Sequence, residues 1–207
     1  MTDSRILADV AEYYRGKLRQ FGATPTGVDW KDEASQNTRF DQLLQLVADP
    51  ARSLVDFGCG VGALLGHMRG RGLTGPYRGI DIEAEMIAAA ATRWAEEPAA
   101  VFEIGASPSR AADYAVASGI FNVRLRHDEA IWRAHVLGVL AEMDRSSRLG
   151  FAFNCLTSYA DADRMRSDLY YADPCFYFDL CKRNYSRHVA LLHDYGLYEF
   201  TIIVRKE

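Results

Sequence analysis

Two carboxylates accompany a glycine-rich turn in the stretch VDFGCGVG, residues 55–62. Asp56 precedes the first glycine of the turn, Gly58, and Asp81 follows in the stretch GIDI, residues 79–82. A glycine turn lets the backbone approach a ligand closely, and a carboxylate that closes a strand can accept the hydroxyl groups of a ribose. Asp56 would repel a pyrophosphate, because no Lys or Arg in the turn offsets its charge. The pattern therefore predicts a nucleoside ligand with a cationic tail.

Two other interpretations of the same turn remain open. Gly58, Gly60 and Ala63 also fit the pattern G-x-G-x-x-G/A of dinucleotide-binding proteins. The turn can equally be a structural link between a strand and a helix in another α/β protein. Binding of NADH in preference to the predicted ligand would support the first of these.

The elements around the turn follow from a change in hydrophobic period along the chain. Two N-terminal helices are expected, the second ending before residue 49, and helical stretches at 62–69, 83–94 and 128–144 separate most of the later apolar runs. Too few residues separate the last two runs for a parallel crossover, so the last strand should be antiparallel. Seven strands are predicted, at residues 53–57, 77–82, 100–104, 114–120, 150–155, 189–193 and 199–204.

Strands that alternate with helices predict an α/β fold: a doubly wound, Rossmann-like, mostly parallel seven-stranded sheet with helices on both faces. We expect one domain over residues 1–207, with an N-terminal helical lid at 1–50 and the Rossmann-like core at 51–207. The chain of 207 residues has a net charge of -4 and no run of basic residues, so nucleic acid is an unexpected partner. No apolar segment suits a signal peptide or a membrane span, and the four cysteines suit a reducing cytoplasm.

Residues 55–62 together with residues 79–86 resemble the first two motifs of class I S-adenosylmethionine-dependent methyltransferases. The resemblance implies S-adenosyl-L-methionine as cofactor, held by the backbone of the glycine turn, with its ribose on the acid of the second strand. An adenine contact is expected near residues 105–107, where the usual Asp is absent. By position, the implied cofactor residues are Asp56, Gly58, Cys59, Gly60, Asp81, Ile82 and Ala106.

The end of the fourth strand, VASGIFN, should lie beneath the reactive sulfonium in the resembling family. Gly119 allows close approach next to Ser118, Phe121 can place its ring near the cation, and Asn122 offers a neutral donor and acceptor. Phe121 in the core and Asn122 as a cap are equally good interpretations.

Three further side chains are candidates for catalysis at the same rim. Asn154 can orient the substrate or satisfy the backbone where the fifth strand ends, and Tyr159 follows that strand. His193 can act as a base near neutral pH or belong to the hairpin. The other histidines, at 67, 127, 135 and 188, are expected in solvated or capping positions, and no metal site is predicted.

Two segments can cover the site. Residues 157–188 carry seven aromatic side chains, some of which can shield a sulfonium through cation–π contacts. The N-terminal helix and its continuation over residues 21–40 can act as a lid, with Tyr14 facing the cofactor. Arg39 or Lys17 can pair the carboxylate of the cofactor, or either can belong to a solvated helix face.

The resemblance implies transfer of a methyl group to an O or N atom of a small molecule. Two alternatives stay open: cyclisation or cleavage of S-adenosylmethionine itself, as in azetidine-2-carboxylate synthases, which would release methylthioadenosine, and cofactor binding without catalysis. The identity of the acceptor and the oligomeric state do not follow from the sequence.

Overall fold

A mixed sheet forms the centre of the protein in a computed structural model that describes residues 4–24, 27, 30 and 32–206. Its strand order is β3-β2-β1-β4-β5-β8-β7, and the short β6 pairs with β5 beside this path. β8 runs antiparallel to both β5 and β7, while the other pairs are parallel. The strands are β1 Leu54–Phe57, β2 Tyr77–Asp81, β3 Ala100–Ile104, β4 Ala112–Ala117, β5 Ser147–Thr157, β6 Tyr171–Ala172, β7 His188–Leu192 and β8 Glu199–Arg205.

Six α-helices accompany the sheet in the described residues. A side-chain carboxylate caps the start of α2 and of α6: Asp32 accepts the N–H of Ser35 at 2.7 Å, and Asp173 accepts the N–H of Cys175 at 2.8 Å. The helices are α1 Ser4–Phe21, α2 Glu33–Leu44, α3 Ala63–Gly70, α4 Ala84–Arg93, α5 Glu129–Ser146 and α6 Pro174–Asn184.

The predicted fold class is confirmed, because all seven predicted strands form and the last is antiparallel to its neighbour. Two boundaries differ from the prediction in ways that affect the site. β4 ends at Ala117, before the turn that contains Gly119, whereas β5 continues to Thr157. The two-residue strand β6 was not predicted, since so short a run leaves no periodic signal.

Apolar side chains fill both faces of the sheet. One core cluster joins the sheet to α5 and α6, and the other joins it to α2 and α3. Ile6 of α1 packs in the first cluster with Trp132 of α5. The seven residues between β3 and β4 (105–111) contain no helix.

The N-terminal helix is tied to the start of α4 by two ion pairs. Arg15 donates to both carboxylate oxygens of Glu83, at 2.8 and 3.2 Å, and Arg19 pairs with Glu85. These contacts place α1 across the carboxyl ends of the parallel strands, where a lid is expected. Residues 25–26, 28–29 and 31 of the expected lid segment lie outside the described residues, and the division of the chain at residue 50 stays a prediction. None of the described helices has the length and apolar character needed to cross a bilayer.

Candidate active site

A cavity of about 1110 Å³, counted with its open mouth, lies beyond the carboxyl ends of β1, β2 and β4. Its floor is the turn after each of these strands, and α1, α2 and α5 supply its walls. Helix α1 contributes Leu7, Val10 and Tyr14. Ligands of open α/β sheets bind at this edge, so the cavity is the candidate site.

The glycine turn after β1 has three residues with positive φ: Gly58 (68°), Gly60 (53°) and Gly62 (73°). These left-handed conformations favour glycine, which has no Cβ. Packing adds a second requirement, because a Cβ on Gly58 would lie 2.2 Å from Cγ2 of Ile120, and one on Gly62 would lie 2.7 Å from the indole nitrogen of Trp94. The spacing of the glycines is therefore dictated by the turn itself as well as by any ligand.

The Asp81 side chain joins the glycine turn to the start of α4. One carboxylate oxygen accepts the N–H of Gly60 at 2.9 Å, and the other accepts the N–H of Glu83 at 2.9 Å. Each oxygen keeps a further lone pair, so the carboxylate can still accept hydroxyl groups from the cavity side. Burial raises the pKa of Asp81 above its ordinary value.

Asp56 is buried at the end of β1 and lines the same cavity. Its carboxylate accepts a hydrogen bond from the hydroxyl of Tyr77 at 2.6 Å. Burial raises the pKa of Asp56 to about 7, although the bond from Tyr77 acts in the opposite direction, and the nearby Asp81 raises it further. A cation bound beside Asp56 would favour its ionised form.

The electrostatic character of the cavity is set by these two carboxylates. Among the described residues that line it, Asp56 and Asp81 are the charged ones and none is Lys or Arg. Such a site favours a ligand with a positive charge and disfavours a pyrophosphate.

Most of the predicted cofactor residues come together here. The cavity is lined by Tyr14, Asp56, Gly58, Cys59, Gly60, Asp81, Ile82, Ala106, Ser118 and Gly119.

Phe121 does not line the cavity, contrary to the expectation that its ring faces the cation. Its side chain is fully buried in the core, where the ring packs edge-on against Phe153 with 5.8 Å between centroids. Its carbonyl accepts the indole N–H of Trp132 at 2.9 Å. The core interpretation of Phe121 therefore matches the structure.

Arg39 also lies outside the cavity, held by a carboxylate of the protein instead of one from a ligand. Its guanidinium donates to both oxygens of Glu199, at 2.7 and 2.8 Å. The carbon of this guanidinium lies 4.1 Å from the ring centroid of Trp30, which does line the cavity. Arg39 thus supports the cavity wall from behind.

Asn154 extends the same network to the end of β4. Its Nδ2 donates to Glu199 at 2.5 Å, and its Oδ1 accepts the N–H of Gly119 at 2.8 Å. The side chain is fully buried inside β5 and does not line the cavity, because the strand continues two residues further than the sequence indicated. Asn154 therefore contacts the turn at Gly119, which lines the cavity.

Asn122 is likewise used by the backbone. Its Oδ1 accepts the N–H of Leu156 at 3.1 Å, and its carbonyl accepts the N–H of Tyr170. These bonds fasten the segment after β4 to β5 and to the start of β6, away from the cavity lining.

Tyr159 and His193 are brought together, but outside the cavity. Their ring centroids are 5.9 Å apart, and Tyr159 is 69% exposed. Neither is among the residues that line the cavity, so the structure gives no contact that supports a catalytic role for them.

The aromatic segment at 157–188 does not cover the cavity either. Tyr170 and Tyr177 are buried and join their hydroxyl groups at 3.0 Å, while Phe178 and Tyr185 pack against the core. The cover consists of α1 and Trp30 instead.

The sequence analysis did not identify several residues that line the cavity from α5 and from the segment that contains Trp30. Trp132, His135 and Val139 are spaced as one stripe of α5, a signal that the sequence contains. His135, assigned to a solvated or capping position, is buried with its ring 5.1 Å from that of Trp132. Trp30 stands in a part of the sequence that has no regular hydrophobic pattern.

Comparison with known proteins identifies the family. No protein-family model matches the chain. A protein of Mycobacterium tuberculosis (strain ATCC 25618 / H37Rv) named "Putative methyltransferase Rv1506c" is 58% identical over 159 residues, which are 77% of this chain and 95% of that protein. The chain belongs to the methyltransferase family.

Solved structures show that this methyltransferase shares its fold with distant relatives. Magnesium protoporphyrin IX methyltransferase from Synechocystis PCC 6803, solved with bound SAH, is 14% identical with a TM-score of 0.67, over 97% of this chain and 99% of that one. Human N-acetylserotonin methyltransferase, in complex with SAM, is 17% identical with a TM-score of 0.59, over 97% of this chain and 65% of that one. The assignment to the methyltransferases is confirmed by the first relative, and the two solved structures show the same fold.

Proposed function

We propose that this methyltransferase transfers the methyl group of S-adenosylmethionine to an oxygen or nitrogen atom of a small molecule. The observation that carries the proposal is the pair Asp56 and Asp81 at one cavity whose described lining has no basic residue. The cofactor brings a cationic α-ammonium group and the hydroxyl groups of a ribose, and Asp56 and Asp81 offer a carboxylate to each of these two parts.

The cofactor fits the residues as follows. The ribose hydroxyl groups are accepted by Asp81, whose orientation is fixed by the N–H groups of Gly60 and Glu83. The α-ammonium group lies near Asp56, and the base lies near Gly105 and Ala106, both of which line the cavity. The protein then holds the methyl group near the turn at Gly119 and excludes water with α1.

A small acceptor is favoured by the form of the cavity, which is a pocket beneath α1 with lining residues from five helices. The two solved relatives named above are also named for small-molecule acceptors. The same proposal places the protein in the cytoplasm, in keeping with four free cysteines.

The test starts with purified protein and S-adenosylmethionine alone, with the adenosine product identified by mass. A methyltransferase leaves the cofactor largely intact and releases S-adenosylhomocysteine only when an acceptor from a small-molecule library is added. Catalytic release of methylthioadenosine without an acceptor would overturn the proposal and indicate cleavage or cyclisation of the cofactor. Tight binding with no product for any acceptor would indicate a binding protein.

A further inference from the structure

In the proposed function, the ribose and the α-ammonium group of the cofactor have partners, but the carboxylate of its amino-acid tail has none. The charged residues in the described lining of the cavity are Asp56 and Asp81, which repel a carboxylate. Neither cation that the sequence analysis considered lines the cavity: Arg39 pairs with Glu199, and the ammonium group of Lys17 lies over aromatic rings of its own helix. The carboxylate therefore needs uncharged donors.

Backbone donors without an acceptor face the cavity at the start of α3. Gly62 precedes this helix of eight residues in a left-handed conformation and has no side chain that could cap it. No described side chain accepts a hydrogen bond from the N–H groups of the first turn. These groups have no acceptor within the helix either, and together with the helix dipole they attract an anion. Ala63 and Leu64 of this turn line the cavity.

The side chain of Gln36, on α2, is an independent observation at the same place. Gln36 is only 6% exposed, and no described residue forms a hydrogen bond with its carboxamide. The residue lines the cofactor cavity, and its carboxamide atoms are not sealed from solvent. Because buried polar side chains in folded proteins nearly always have a partner, this carboxamide points to a ligand that supplies one.

Packing of α2 against α3 brings Gln36 to the first turn of α3. The ring centroids of Phe40 and His67 are 5.6 Å apart, and Asp41 pairs with His67 at 2.6 Å. Gln36 and Ala63 lie one turn before this contact on their own helices. Both also line the cofactor cavity and a second cavity of about 1100 Å³ between α2 and α3. The carboxamide of Gln36 is therefore next to the first turn of α3.

This position suits the amino-acid tail of the cofactor. In the proposed function the α-ammonium group lies near Asp56 in β1, and the turn at 58–62 leads directly from this strand to α3. The ammonium and carboxylate groups are attached to the same carbon atom, so the carboxylate lies beside the ammonium group. Of the surfaces around it, the start of α3 is the one that attracts an anion.

We propose that Gln36 and the first turn of α3 bind the carboxylate of the cofactor's tail, with Nε2 of Gln36 and backbone N–H groups as donors. This inference rests on the proposed function and supplies the partner that its cofactor lacks there. The carboxylate is held without a cation, in a cavity whose charged lining residues are acidic. Gln36 thereby makes binding depend on an intact amino-acid tail.

The experiment compares two ligands that differ only in the carboxylate. They are S-adenosylhomocysteine and its decarboxylated analogue, which keeps the adenosine, the sulfur atom and the amino group. Calorimetry measures the Kd of each for the wild-type protein, Gln36→Met and Gln36→Glu, and thermal unfolding checks that each variant is folded. Gln45 is exposed at the end of α2 and lines neither cavity, so Gln45→Met and Gln45→Glu are the matched controls.

We expect the wild-type protein to bind S-adenosylhomocysteine about tenfold or more tightly than the analogue, because charge-assisted hydrogen bonds hold the carboxylate. Gln36→Met should weaken S-adenosylhomocysteine by about tenfold and the analogue by less than about twofold. Gln36→Glu should weaken S-adenosylhomocysteine further, since a carboxylate then faces a carboxylate, and should not weaken the analogue. The Gln45 variants should leave both affinities unchanged.

Equal losses for the two ligands in the Gln36 variants would overturn the inference and make Gln36 a support of the cavity wall. Unchanged binding of S-adenosylhomocysteine by Gln36→Glu, or equal binding of the two ligands by the wild-type protein, would also overturn it. In each of these cases the cofactor still binds, so the proposed function stands. Failure of the wild-type protein to bind S-adenosylhomocysteine would instead overturn the proposed function.

Discussion

Asn154 and Glu199 lie side by side on β5 and β8, and Nδ2 of Asn154 donates to Oε2 of Glu199 at 2.5 Å. Glu199 also receives the two bonds from Arg39, and Asn154 receives the N–H of Gly119. A continuous chain of hydrogen bonds, of which those to Glu199 are charge-assisted, thus connects α2 with the turn under the expected methyl group. Every member is buried, so the loss of one leaves the others without a partner.

Glu199→Gln should lower the free energy of unfolding by about 3–5 kcal/mol, because Arg39 would remain as an unpaired buried cation. Urea unfolding measures the change, with Glu142→Gln on α5, whose partner Arg145 is exposed, as the control. In a double-mutant cycle, Arg39→Met combined with Glu199→Gln should cost less than the sum of the single changes. A loss below about 0.5 kcal/mol for Glu199→Gln would show that the network adds nothing to stability.

Asp81→Ala should weaken binding of S-adenosylhomocysteine by about 1–3 kcal/mol, since charge-assisted bonds to the ribose are removed. The exposed carboxylate of Asp179 on α6 provides the control, Asp179→Asn, which should leave the affinity unchanged. Equal affinities of wild type and Asp81→Ala by calorimetry would show that Asp81 does not bind the ribose.

Binding of S-adenosylhomocysteine should depend on pH through Asp56. The α-ammonium group favours the carboxylate, so binding below pH 7 releases a proton, and affinity should fall by up to about tenfold per unit as the pH decreases from 7 to 5. Methylthioadenosine has no α-ammonium group and should lack this dependence. Asp56→Asn should abolish it and weaken S-adenosylhomocysteine more than methylthioadenosine. Equal losses for the two ligands would mean that Asp56 only supports the turn.

Titration of Asp56 should also make the free energy of unfolding of the unliganded protein depend on pH. The pKa of Asp56 is raised from 3.8 in the unfolded chain to about 7 in the folded protein, so the folded state holds this proton more tightly. Its contribution to stability is complete below pH 4 and is lost as the pH rises through 7. Asp56→Asn should remove that decline, as measured by urea unfolding at several pH values. An unchanged decline would assign it to other groups.

Tyr159→Phe and His193→Ala test the sequence-based assignment of these residues to catalysis, which stays a prediction. That assignment expects turnover to fall tenfold or more, on the order of 1.4 kcal/mol in the barrier. Because neither residue lines the cavity, we expect turnover within about twofold of wild type. A tenfold loss with unchanged cofactor affinity would show that a further movement brings this pair to the acceptor.

The sequence was sufficient for the sheet and for most of the residues that line the floor of the cavity, because both have local signals. The strand period located seven strands, and the turn around Gly58 and Gly60 together with Asp81 identified the edge of the sheet at which the cavity lies. These residues lie directly after strands, so their position in the sheet follows from their position in the chain.

The other predicted site residues could not be placed from the sequence in the same way. Arg39 and Glu199 are 160 residues apart, and their ion pair has no local signature that would exclude Arg39 from the cavity. Phe121 and Asn154 do not line the cavity, because their position depends on where β4 and β5 end, and strand ends are the least certain part of a sequence-based prediction. His135 could have been found from its helical spacing with Trp132 and Val139.

The most direct test of the account is calorimetric titration of the protein with S-adenosylhomocysteine and, separately, with NADH. The cavity with Asp56 and Asp81 and without a basic residue in its described lining predicts one bound S-adenosylhomocysteine per chain and no measurable heat with NADH. Tight binding of NADH without binding of S-adenosylhomocysteine would contradict the account.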